Sequence, residues 1–211
     1  MNKIYTVAFF ILGLCGFAAA QGTVSAKKIL DEVSAKLKTY HGITANFSYS
    51  TTDRKGIKRG EVSGKIAIKG QKYYIKQDAT EIFCDGVKIW NYNSDSKEVT
   101  ISDVSDEDSK TLTPQKLLSD FYDKDFTYKL ASSKRNYYEI DMLPVDKRKN
   151  FKQVDIFVDK ARKMITRAKI TDKSDNLIQF SLSSLHTDVS LPDSKFVYDS
   201  NTHPGVDVIS Q

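Results

Sequence analysis

The sequence predicts a mainly β protein with helices (α+β): about eleven antiparallel strands in a sandwich or barrel, with two helices that can cover it. Three observations carry the prediction. From Thr44 onward, apolar residues recur every second position in short runs separated by turn residues. The run from Glu81 to Asn93 divides its two apolar stretches with Asp85-Gly86 alone, the strongest short-range hairpin signal, which predicts a type I′ turn. Helical periodicity occurs twice, once ahead of the strands and once among them.

Taken in order, Lys3, the apolar run Ile4 to Phe17 and the small residues Ala18-Ala19-Ala20 predict a signal peptide, residues 1–20, cut before Gln21. The run is short for a membrane span, and in Leu12-Gly13-Leu14 ahead of Cys15 the bulky Leu14 stands where a lipid-anchor motif has a small residue. Residues 21–211 are then one secreted domain. Ser25 to Tyr40 is the first helix: Ala26, Ile29, Val33, Leu37 and Tyr40 form one stripe, with Leu30 beside it. Ser25 can cap it, although Lys28 stands where a capping box has an acid.

Ala45, Phe47 and Tyr49 then alternate with polar residues, and Arg54-Lys55-Gly56 turns the chain. Val62, Ile66 and Ile68 share a face of the next run, with Gly64 in phase where a bend or bulge is expected. Gly70-Gln71 breaks it; Lys72–Gln77, Thr80–Cys84, the Asp-Gly hairpin and Lys97–Ser102 follow. Thr113-Pro114 caps and starts a short second helix whose Leu117, Leu118 and Phe121 form an apolar face. Strand signals resume at Phe126–Leu130, Tyr137–Leu143, Lys152–Val158, Met164–Thr171 and Asn176–Ser184, with a last one at Phe196–Tyr198. A barrel of this strand number is too wide for its own side chains to fill, so the two helices are its expected cover.

The formal charge of +5 is spread over alternating Lys and Asp/Glu without a basic block, which argues against nucleic acid as a partner. Cys84 alone survives cleavage, in an apolar strand, as an expected buried and inert thiol. The three histidines, His41, His186 and His203, share no metal-site spacing, and no cofactor fingerprint appears. Asn46-Phe47-Ser48 matches a glycosylation sequon in mid-strand. Above background stands a supply of eleven Tyr, eleven Phe and one Trp without a catalytic constellation. That pattern suits either an ordinary core or a hydrophobic cavity.

The order of these features resembles the periplasmic outer-membrane lipoprotein carriers, the LolA/LolB-like family. The carrying residues are Asp85 to Asn93, similar to a D-G-x-x-(L/I)-W-x-Y-(N/D) hairpin; Gly64 to Lys69; Thr113-Pro114 through Leu118; and Phe196-x-Tyr198 with Pro204 to Val208. The resemblance implies an incomplete barrel whose concave face holds the acyl chains of lipoproteins. It implies a monomer that travels from an inner-membrane ABC-type releasing complex to the outer membrane, with no cofactor and no reaction; it does not name an outer-membrane acceptor. Ile66, Ile68, Tyr73, Ile75, Val154 and Ile156 are the expected sheet lining, and Ile29, Val33, Leu117, Leu118 and Phe121 the cover. Trp90 is placed with the lining, although Trp90 and Tyr92 are out of phase with Val87 and Ile89. One departure concerns the lid: the family has Arg-Pro after the strand ending at Lys69, whereas this chain has Gly70-Gln71. The competing readings are another periplasmic lipid or glycolipid binder, a structural β-domain with a filled core, and an enzyme using Glu139, Asp141 or His186 as acid or base.

Overall fold

The structure, a computed structural model, describes residues 25–104 and 125–210. Helix α1 (Ala26–Lys38) starts at Ser25, whose Oγ accepts the Lys28 N–H at 3.3 Å. Lys36 and Lys38 in its last turn complement the helix dipole. Its stripe of Ala26, Ile29, Leu30 and Val33 is buried.

Among the described residues twelve strands follow, where the sequence predicts about eleven: β1 (Ile43–Thr52), β2 (Lys58–Lys69), β3 (Lys72–Gln77), β4 (Thr80–Cys84), β5 (Lys88–Asn93), β6 (Glu98–Asp103), β7 (Phe126–Ser133), β8 (Tyr137–Pro144), β9 (Phe151–Asp159), β10 (Met164–Asp172), β11 (Leu177–Thr187) and β12 (Asp207–Ser210). All belong to one sheet in the order β12-β6-β5-β4-β3-β2-β1-β11-β10-β9-β8-β7. The sheet is open, with β12 and β7 at its ends. It is antiparallel except where β12 runs parallel to β6. The helix expected at Thr113–Phe121 lies outside the described residues.

Local chemistry corrects several expectations. The Asp-Gly turn is not type I′: only Gly86 takes positive φ, at 96°. The Asp85 carboxylate accepts the N–H groups of Val87 and Lys88, both at 2.8 Å, which draws Val87 out of the strand into a three-residue loop. At the β2–β3 turn, Gly70 has φ +58° and Gln71 does not, the pattern of a two-residue type II′ turn. Gly64 makes no bulge, since the β1–β2 register runs unbroken through Phe47↔Gly64. A Cβ there would stand 2.7 Å from the Phe47 ring and 2.3 Å from the Lys76 carbonyl oxygen; glycine is required by close approach.

Register shifts occur elsewhere, among them one on β11, where Ser184 takes φ +49° between Leu182 and Leu185. Those leucines are three apart in sequence, and the extra residue lets both pack towards the same core. The expected strand at Phe196–Tyr198 is absent. Phe196 ends a 3₁₀ turn (Asp193–Phe196), and the last strand is β12.

The cross-strand register sorts side chains onto two faces. The inner face carries the main core, with α1 packed on it. On the outer face the C-terminal segment lies over β2 to β6. Leu191 and Phe196 pack on Ala67 and Tyr74, while Tyr198 and Val206 pack with Phe83, Tyr92 and Val99. Lys69 ties this segment down through the Leu191 carbonyl at 2.9 Å and Asp193 at 2.7 Å.

Candidate functional site

The inner face is built from alternate residues of long strands, most of them β-branched or aromatic, with Ala45, Met142, Met164 and Ala168 between them. Pairings Ile66↔Ile75, Val154↔Met142 and Ile156↔Ile140 set these side chains opposite one another across neighbouring strands. Ile29, Val33, Ile66, Ile68, Ile75, Val154 and Ile156 lie in one contiguous cluster, with Tyr73 partly buried against it. Phe47 stands near its middle, its ring stacked at 6.4 Å from both Tyr49 and Phe180. Leu30, Phe180, Ile140, Met142 and Met164 belong to the same cluster but were not among the expected lining. Their signal is the same period of two or of three to four. Which of two faces a strand residue takes becomes visible only with the register.

Trp90 is a correction. It pairs with Phe83 and Ile101 on the outer face and packs in the aromatic cluster under the C-terminal segment. The out-of-phase neighbour Ile89 is buried and pairs with Cys84. Leu117, Leu118 and Phe121 lie outside the described residues. Cys84 itself is buried, 1% exposed, in line with a packing role.

Electrostatically the inner face is blank. Among the described residues the buried side chains are apolar apart from Ser102, and none is charged. The acid–base candidates sit elsewhere: Glu139 and Asp141 share the outer face of β8, and His186 lies apart from them on β11. Glu139 accepts a hydrogen bond from the Ser132 hydroxyl at 2.9 Å, and Asp141 pairs with Lys129 at 3.4 Å. Opposite Asp141 lies Asp155, whose carboxyl is pushed up by burial and by the charges of Asp141 and Glu139, against the Gln153 amide that hydrogen-bonds to it. Glu139 lines an outer hollow of about 460 Å³, whereas His186 pairs with Thr44 and lines a different one. The described residues contain no cluster of potential metal ligands. The described inner face can therefore hold or exclude apolar groups.

Comparison with known proteins agrees with this geometry. Residues 38–199 match the family model described as outer membrane lipoprotein carrier protein LolA. A Shewanella pealeana relative named outer-membrane lipoprotein carrier protein is 26% identical over 189 residues, covering 87% of this chain and 85% of that protein. A Shewanella frigidimarina protein of the same name is 28% identical over 192 residues, with 87% and 85% covered. In fold, the chain is similar to an uncharacterised conserved protein from Thermus thermophilus, with a TM-score of 0.62 at 11% identity over 88% of this chain and 99% of that one. An open sheet with an apolar inner face under a helix, matched by the family model from the end of α1 to the C-terminal segment, places this chain in the LolA family of outer membrane lipoprotein carrier proteins.

Proposed function

We propose that this protein is a periplasmic carrier that holds the acyl chains of lipoproteins against its inner face and moves them from the inner to the outer membrane. The observation that carries the reading is the continuous, uncharged inner face in a chain of this family. Each CH₂ removed from water contributes about 0.8 kcal/mol, so two or three acyl chains need tens of kcal/mol of shielding to cross an aqueous space. In the structure described here α1 occupies the inner face, with Leu30 and Val33 fully buried. Cargo must displace these side chains, and the free energy of that opening lowers the apparent affinity. A carrier that has to release what it binds gains from such competition.

On this reading the lining comprises Ile66, Ile68, Tyr73, Ile75, Val154 and Ile156, with Ile29 and Val33 as cover. For Leu117, Leu118 and Phe121 the argument is helical spacing alone. Residues 1–20 would direct export and then be removed. The partners would be acylated lipoproteins and an ABC-type releasing complex, the carrier acting as a monomer without catalysis.

The test is binding of a fluorescent apolar probe to the purified protein, with competition by a triacylated lipoprotein and by its deacylated form. Displacement by the acylated form alone is the expected result. Saturable probe binding that no lipoprotein displaces would make the protein a general lipid binder, and the absence of any probe binding would overturn the carrier reading.

A further inference from the structure

The outer face of the β2–β3 hairpin carries an unbalanced charge that the inner-face reading does not use. The register sets Lys65 opposite Lys76 and Lys69 opposite Lys72, with the pair Ala67–Tyr74 between them on the same face. Lys195, from the 3₁₀ turn above, lies with its ammonium 4.5 Å from the Tyr74 ring centroid. Two carboxylates answer these five lysines. Glu81 takes Lys76 at 2.6 Å and also accepts the Tyr74 hydroxyl, while Asp193 takes Lys69 at 2.7 Å and Lys72 at 3.0 Å. Lys65 and Lys195 have no ion-pair partner among the described residues.

These two lysines line a hollow of about 260 Å³ together with Thr44, Asn46, Ser184 and His186, around a largely apolar floor that includes Ala67 and Tyr74. No carboxylate lines it. Its groups come from five separate elements: β1, β2, β3, the bulged end of β11 and the C-terminal 3₁₀ turn. Hydroxyl and amide donors stand beside the two ammonium groups, and like-charged Lys65 and Lys76 face each other with a single carboxylate, Glu81, to relieve them. The arrangement lacks the arginine fork that favours a planar carboxylate; lysines act as point charges around a tetrahedral ion.

We propose that this hollow binds a phosphate group, free or as the headgroup of an anionic lipid, with Lys65 and Lys195 as its cationic ligands. The proposal stands independently of the cargo of the inner face.

The experiment measures two probes on the purified protein: inorganic phosphate, by ³¹P NMR titration, and phosphatidylglycerol vesicles against phosphatidylcholine vesicles, by co-sedimentation. Both are repeated for the double variant Lys65→Gln/Lys195→Gln and for a charge-matched control, Lys55→Gln/Lys147→Gln, in the β1–β2 and β8–β9 turns. Each lysine near an anionic surface contributes roughly a factor of five, so the first variant is expected to lose roughly 30-fold in vesicle binding while the control keeps most of it. Saturable phosphate binding that the first variant abolishes, without vesicle binding, would identify the free ion as the ligand and support the site. Equal losses in both variants would show diffuse surface charge, and no binding of either probe would show an empty hollow; either result overturns the proposal. An unchanged thermal transition of both variants confirms that folding is not what has been measured.

Discussion

The contact between Phe47 and Gly64 shows how much one residue depends on a distant partner. The Phe47 ring lies where any side chain at position 64 would have to go, within 3 Å of its Cβ, and the Lys76 carbonyl closes the other side. Gly64→Ala is therefore expected to destabilise the protein by about 1–3 kcal/mol through overpacking. A lower urea midpoint with an unchanged slope would show it. A neutral result would mean that β2 and the ring shift apart at little cost. Sequence alone marks Gly64 as special because it interrupts an apolar face. It cannot say that the cause is a cross-strand aromatic ring rather than a bend, because the cause lies on another strand. Asp85 gives the same lesson: Asp-Gly correctly marks a turn, but the reach of the carboxylate to two backbone N–H groups decides its type.

Among elements, α1 was the most legible, since its cap, its stripe and its basic last turn are all local properties of one stretch. Its packing on the inner face is also its largest energetic commitment. Leu30 is fully buried in the main cluster, so Leu30→Ala should cost about 2–5 kcal/mol, read as a fall in ΔG of unfolding by chemical denaturation. A cost below 1 kcal/mol would mean that α1 is loosely held and adds little to the core. The long hairpin strands were legible for the same reason as α1: period and turn residues sit side by side in sequence. The four-residue β12 was not. It is short, its partner β6 lies about a hundred residues earlier, and it pairs in parallel. The alternation Phe196-Val197-Tyr198 suggested a strand there, but a 3₁₀ turn instead drops Phe196 into the outer-face cluster. Trp90 was misplaced for a related reason, as a residue in a strand with apolar groups on both faces has no preferred side until its neighbours are known.

At the scale of the molecule, the sequence carried the strands β1 to β11 and their antiparallel order, though not β12, and it carried the need for something to cover an over-wide sheet. It did not carry how far the sheet opens, which depends on the two end strands, β12 and β7, and on neither alone. The chain makes two meanders, β1 to β6 and β7 to β11, and the sheet is continuous only because β1 pairs with β11. Residues such as Phe47 and Leu182 meet there across more than half the chain. Closing so long a loop delays the contact that rewards it, so refolding is expected on the millisecond-to-second scale, with the β1–β11 seam limiting the rate. Phe180→Leu, in the seam, should slow refolding more per unit of stability lost than Ile82→Val, in the local β4–β5 hairpin. Stopped-flow kinetics decide this, and an equal slowing by both would place the seam after the barrier. During synthesis the same topology leaves β1 with one open edge until nearly the last strand is made. For that interval the nascent chain is a half-finished template that any passing strand can join, and its safety rests on how quickly β11 arrives.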